Sequence, residues 1–301
     1  MSKNNQQNHL AVFGLLFGAF CWGIVWYPYR LMAQAGVSGV ASSVYTYAIA
    51  VVLGGLITAR LWRGMFKQPK IIILLGLMSG YTNLSYVLAV IDGDVMRVML
   101  LFYLSPIWTL ILAHFWLKEK THVIGYVAML ISLLGAFVML YDPQSGGLPV
   151  PKNTAEWLAL TSGIGFAMTN IITRKAQELS LVAKSMAVWV GVSVVSAIFM
   201  LYQDGAILRP DFFNARHWMI MGFIALLLMA ATSFVQYGVT RIAATRASIL
   251  FLFELVVAAI ASYYLANEHM TWNEWLGGSL IVLAAIFAAS TIKLPPNHSF
   301  H

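Results

Sequence analysis

Almost the whole chain is divided into ten apolar runs, near 9–30, 38–60, 71–91, 95–117, 122–141, 154–174, 183–203, 217–240, 246–266 and 272–292. A helix of roughly twenty apolar residues crosses a hydrocarbon layer about 30 Å thick, and these runs have that length. The sequence of 301 residues is 60% hydrophobic and 10% charged. A soluble fold of this size has no interior large enough for so much apolar surface, so most of it faces lipid. In lipid the backbone must bond to itself, which makes each run a helix. The expectation is an all-α membrane protein with ten transmembrane helices.

The runs fall into two sets of five. Shifting Arg97–Glu119 by 149 positions places Arg97 on Arg246, Leu101-Phe102 on Leu250-Phe251, and Glu119 on Glu268. Five of these 23 positions are identical, Ile111 and Ile260 being the fifth pair. The connection Asp142 to Asn153, with Pro143, Gly146, Gly147, Pro149 and Pro151, lies where two halves would join. The expected division is 1–150, with helices one to five, and 151–301, with helices six to ten. An odd number of spans per half inverts the second relative to the first. Inverted repeats place a substrate site near the midplane, between the halves.

Basic residues set the orientation. With a cytoplasmic N-terminus, 13 of the 18 Lys and Arg residues fall on the inner side and 5, namely Arg30, Arg97, Lys152, Arg209 and Arg216, on the outer. The positive-inside rule therefore puts both termini in the cytoplasm. The net charge of +7 is read as topology charge, so no nucleic-acid partner is expected. The polar stretch Met1–His9 and the long first run do not read as a cleaved signal peptide. The single cysteine, Cys21, excludes an intramolecular disulfide, and no Cys-rich or HExxH cluster suggests a metal. Neither a Walker-type phosphate loop nor a GxSxG elbow occurs, so an ATP-driven motor and a membrane-bound enzyme are both disfavoured. No cofactor is expected.

Glu254 is the most informative residue. It lies eight positions into the ninth run, flanked by Phe251, Leu252, Phe253, Leu255 and Val256. A carboxylate there costs on the order of 2.5–3.5 kcal/mol on insertion scales, so it faces a cavity or a partner. The functional reading is a ligand for a substrate amine or a proton carrier; the alternative is a structural polar anchor. Its counterpart in the first copy is Ser105, followed by Pro106, which should kink the fourth helix, as Pro28 should the first.

Other spans carry aromatic and amide residues at helical spacing: Trp22 and Trp26, Asn83 and Tyr86, Tyr103, Ser105 and Trp108, Asn170, and Gln236 with Tyr237. Aromatic walls with a few hydrogen-bonding groups suit an amphipathic organic solute, although the amides also serve as interhelical glue. His114 is a second candidate for proton coupling, or a packing residue. Trp62, Trp116, Trp157, Trp218, Trp272 and Trp275 read as interfacial belt residues. Arg97 and Arg246 read as topology anchors, with Asp92 or Asp94 as a partner for Arg97. Gly76 with Gly80, and Gly277-Gly278, are spaced for close helix packing.

These residues resemble the EamA branch of the drug/metabolite transporter superfamily. The segment Glu254-Leu255-Val256-Val257-Ala258 leading to Glu268, then Thr271, Glu274 and Gly277, is similar to that family's second-repeat pattern. Leu104-Ser105-Pro106 through Glu119 to Thr121 and Gly125, and Trp22-Gly23, are similar to its first. Two positions depart: Leu255 stands where the family usually has proline, and Tyr45 and Tyr47 lie where an arginine is common. The resemblance implies a cavity lined by spans one, three, four, six, eight and nine, and outward movement of amino acids, other metabolites or drugs across a bacterial inner membrane. The resulting expectation is a secondary transporter, multi-pass in the inner membrane, that exports amino acids or similar small amphipathic metabolites by alternating access. Coupling to protons through Glu254 and uncoupled facilitation both remain open, as does the oligomeric state.

Overall fold

The computed structural model describes residues 3–58, 68–93, 95–141, 150–204, 213–265 and 269–290. Among them all regular structure is helical: α1 (Lys3–Gln34), α2 (Gly39–Thr58), α3 (Pro69–Asp92), α4 (Val95–Phe102), α5 (Ser105–Leu112), α6 (Val123–Leu140), α7 (Thr154–Lys175), α8 (Leu181–Asp204), α9 (Ala215–Arg241), α10 (Ala244–Phe251), α11 (Phe253–Leu265) and α12 (Trp272–Ser290). A π-helical turn, Ala113–Leu117, extends α5 to the end of the fourth run. Most of the expected joint between the halves, and Trp62, Asp94 and Glu268, lie outside the described residues.

Eight runs are each one helix, and the fourth and ninth are each two. The breaks fall at the same place in both copies: α4 ends at Phe102 and α10 at Phe251, the pair matched in the sequence. In the fourth span the helix tightens, with Leu104 N–H donating to Leu101 O (3.3 Å) and Ile107 N–H to Leu104 O (2.9 Å). In the ninth, Leu252 N–H donates to Ile249 O (3.2 Å) and Leu255 N–H to Leu252 O (3.1 Å). Pro106 lacks the N–H that would reach the Phe102 carbonyl four residues back, so one helical hydrogen bond is missing at the first break. The second forms without a proline. Pro28, expected to act as Pro106 does, sits within α1, which runs on to Gln34.

Nine helical segments among the described residues are long and apolar enough to cross a membrane; α7 is not among them. The sixth run, expected as a span, is a helix of 22 residues. Helix α7 buries Glu156, Ser162, Asn170 and Thr173 and packs against α3, α4, α5, α9 and α10. A helix screened from lipid by so many neighbours can carry polar groups that an outer span cannot. On the lipid-facing side, Leu56, Ile57, Val123, Leu130, Phe223 and Leu226 are exposed.

Local chemistry fixes several helix starts. The Asn153 side chain accepts the Glu156 N–H (2.9 Å) at the start of α7. Asn214 and His217 form a reciprocal capping box on α9. At α12, Thr271 N–H donates to Glu274 (2.6 Å) while Glu274 N–H donates to Thr271 Oγ1 (3.3 Å), so two residues of the family-like pattern have a capping role.

The helices pair in a regular scheme. Helix α1 packs on α9 and on the broken ninth span, while α7 packs on α3 and on the broken fourth; α6 lies against α12 and α2 against α8. Glycines allow the closest approaches, as their spacing suggested. A Cβ on Gly191 would lie 2.1 Å from the Gly76 carbonyl oxygen, and one on Gly277 would lie 2.4 Å from that of Gly135.

Candidate functional site

Four of the predicted residues converge at the two helix breaks. Glu254 stands at the start of α11, one turn beyond Phe251. It keeps partial accessibility, while Leu252 and Leu255 beside it are buried. The Tyr103 hydroxyl, in the break of the fourth span, is directed at the Glu254 carboxylate, and the Tyr86 hydroxyl of α3 lies within electrostatic range of it. Trp22 reaches the same region because Gly23 lets α1 press on the ninth span: a Cβ there would lie 2.8 Å from the Glu254 carbonyl oxygen.

Aromatic rings connect these positions in a continuous array. Tyr86 and Tyr103 lie 4.8 Å and 5.3 Å from Phe102. Phe102 is 5.6 Å from Phe166, Phe166 is 5.4 Å from Phe251, and Phe251 is 5.6 Å from Trp22. Such separations suit edge and tilted ring contacts. Phe102, Phe166 and Phe251 escaped the sequence reading. The repeated Leu-Phe pair was a usable signal for two of them; nothing marked Phe166. Its helix is brought in by Gly163, where a Cβ would lie 2.7 Å from the Phe102 carbonyl oxygen, the group that Pro106 leaves without its helical donor.

The remaining candidates lie on α1, α3, α5, α7, α9 and the π-helical turn. Ser105 is buried at the start of α5. Asn83 Oδ1, Asn170 Nδ2, Gln236 Oε1 and the indole Nε1 atoms of Trp26 and Trp108 are buried without a protein hydrogen-bond partner. Buried polar atoms are normally bonded, so a group of these within one membrane protein marks polar interior surface. Tyr237 belongs elsewhere: the Arg241 guanidinium lies over its ring at 3.7 Å, in the last turn of α9. His114 is exposed in the π turn, against Phe115 at 5.2 Å, and is not brought to Glu254. Trp116, Trp157, Trp218, Trp272 and Trp275 are all exposed, as belt residues are.

The charged ends of the first matched stretch both reach α7. Arg97 Nε donates to Glu156 Oε1 at 2.8 Å and Arg97 Nη2 to Glu156 Oε2 at 2.9 Å. Arg97 also donates to the Val150 carbonyl at 3.1 Å. Asp92, one partner expected for Arg97, is instead exposed; Glu156 offers a buried, two-point acceptor across the bundle. At the other end Arg174 Nε donates to Glu119 Oε1 at 2.9 Å, and Glu119 Oε2 accepts the Ala244 N–H at 2.9 Å. Arg246 is half-buried within electrostatic range of Glu119.

A polar knot surrounds this second pair. Lys184 is fully buried, and its Nζ donates to the Thr173 carbonyl and to Thr240 Oγ1, each at 3.0 Å. Arg174 Nη1 donates to the Thr240 carbonyl. Thr173 and Thr240 lie in the last turns of α7 and α9, whose C-terminal carbonyls carry partial negative charge. Those helix ends account for a buried lysine that has no carboxylate partner among the described residues.

Comparison with known proteins places this geometry. The model of the EamA-like transporter family matches residues 9–141 and again 153–290. An uncharacterized transporter of Archaeoglobus fulgidus is 23% identical over 75% of this chain and 78% of its own. The S-adenosylmethionine uptake transporter of Rickettsia prowazekii is 27% identical over 73% of this chain and 72% of its own. An uncharacterized transporter of Pseudomonas aeruginosa is 23% identical over 51% of this chain, which spans 49% of that protein. A solved crystal structure shares the fold with a TM-score of 0.76 and 14% identity, covering 92% of this chain and 96% of its own.

Proposed function

The chain belongs to the EamA-like transporter family, and from that premise we propose that it is a secondary transporter exporting amino acids or similar amine-bearing, amphipathic metabolites across the inner membrane. It works by alternating access, with residues 1–150 and 151–301 as inverted halves and both termini cytoplasmic. The observation that carries the reading is Glu254: a carboxylate in mid-span, partly accessible, at a helix break, and facing the Tyr103 hydroxyl. Broken helices near the midplane are where transporters of inverted-repeat design bind their substrates. Glu254 takes the substrate amine or a proton, and the rings from Trp22 to Tyr86 enclose the apolar body.

Three observations support the inverted halves. The fourth and ninth spans break after residues 149 positions apart. The packing of α1 on α9 has its counterpart in that of α7 on α3. The family model matches the chain twice.

Inward transport is the second reading, favoured because two relatives, in Rickettsia prowazekii and Rickettsia bellii, are uptake transporters. Flux through the purified protein in vesicles of known orientation, with and without a pH gradient, separates the two directions and reveals coupling. Glu254→Gln should cut flux at least about tenfold, the loss of one charge-assisted contact. Unchanged flux at every pH would remove Glu254 from the mechanism.

A further inference from the structure

Among the described residues Glu254 has no counterion. The group directed at its carboxylate is the Tyr103 hydroxyl, and no Lys, Arg or His among the described residues acts on it. Arg97, Arg174 and Lys184 of the neighbouring spans are engaged elsewhere, and Arg246, eight residues before Glu254 in the same span, lies within electrostatic range of Glu119. Arg97 grips Glu156, Arg174 grips Glu119, and Lys184 is held by the ends of α7 and α9. An ionised carboxylate inside a membrane is stabilised by a cation. When Glu254 is ionised rather than protonated, that cation arrives with a ligand.

The walls favour the same charge. Ring faces carry negative electrostatic potential and attract ammonium-type groups, and Trp22, Tyr86, Phe102, Tyr103, Phe166 and Phe251 form one connected array beside Glu254. Asn83 and Asn170, about one turn from Tyr86 and Phe166 along α3 and α7, carry unpartnered atoms of neutral amide groups. They can bond an ester, amide or hydroxyl. A ligand carboxylate would instead sit near Glu254 with no cation opposite it, a like-charge placement that costs affinity.

We propose that the site selects an organic monocation over a zwitterion: an amine, an amino-acid amide or ester, or an alkylated onium, with an aromatic or bulky apolar body. This rests on the reading that Glu254 faces the substrate, and narrows it. Free amino acids are then the weaker ligands.

The test uses the full-length protein and two matched series. One is phenethylamine, phenylalanine and 2-phenylethanol; the other, for a larger body, is tryptamine, tryptophan and tryptophol. Binding is read by thermal shift and by competition in vesicle flux. In each series that binds, the amine should bind at least about tenfold more tightly than the zwitterion and the alcohol, the size of one charge-assisted contact. Glu254→Gln should bring the three within about threefold of each other. A zwitterion that binds as well as its amine, a preference that survives Glu254→Gln, or no binding of either amine would overturn the monocation assignment. The reading that Glu254 faces the substrate fails separately, if Glu254→Gln leaves the flux of every transported solute unchanged, and the transporter reading fails if the parent protein carries no solute.

Discussion

Arg97 and Glu156 hold each other through two parallel hydrogen bonds of 2.8 Å and 2.9 Å, although 59 positions separate them. Their side chains are only 5% and 4% exposed. The pair anchors the N-terminal end of α7 to the fourth span, while Glu119 and Arg174 anchor its other end. The least apolar of the long helices is thus fixed at both ends against the span that breaks beside it. Such anchoring holds Phe166 between Phe102 and Phe251.

Removing one partner of the buried pair leaves the other charged and unsatisfied. Arg97→Met and Glu156→Leu should each destabilise the protein by about 3–5 kcal/mol. The double variant should recover much of that loss, because an apolar pair of similar volume avoids the desolvation cost. Thermal unfolding in detergent, run on all four proteins, checks the sign of the coupling.

Gly191 allows α8 to touch α3, and a Cβ there would meet the Gly76 carbonyl at 2.1 Å. Gly191→Ala should therefore force the two helices apart and destabilise by about 1–3 kcal/mol. Gly222, where a Cβ meets nothing within 4 Å, is the control; Gly222→Ala should be neutral or slightly stabilising. Unfolding midpoints of the two variants should move in opposite directions or differ clearly.

How much of this was legible in the sequence depended on the range of the interaction. Helix positions followed from hydropathy, a local property, and the ten runs correspond to the helices described. The fourth and ninth spans looked continuous, because a one-turn break changes no side-chain pattern and only Pro106 announced it. Glu254 stood out because a carboxylate in an apolar run has few reasons to be there. Phe166 did not, since phenylalanine is ordinary in any membrane span and its place between two other rings is set by packing. Glu156 as a partner of Arg97 was not legible for a related reason. Asp92 and Asp94 were near in the chain, whereas Glu156 becomes a neighbour only once α7 has docked.

Phe166 makes the ring array continuous, so its loss tests whether the array serves a ligand or only the fold. Phe166→Leu keeps an apolar group of similar bulk and should change the unfolding midpoint little. It should weaken binding of aromatic ligands about two- to tenfold, the range expected for an aromatic contact of about 0.5–1.5 kcal/mol. Binding of aliphatic amines should fall less. An equal loss for both ligand types would point to a packing role alone.

Pro106 poses the last question, whether the proline or the surrounding packing makes the break in the fourth span. The ninth span breaks at the same register with Leu255 in the corresponding place, so a proline is not required for this geometry. In the fourth span the Phe102 carbonyl also faces Gly163 of α7 at a separation that no larger residue tolerates. Both facts assign the break to packing, with Pro106 reinforcing it by removing the competing hydrogen bond. Pro106→Ala should then keep the interruption, with unfolding and flux close to those of the parent protein. Gly163→Val, which pushes α7 off that carbonyl, should impair both. If Pro106→Ala instead abolishes transport while the protein stays folded, the proline itself sets the break, and the fourth span is held open differently from the ninth.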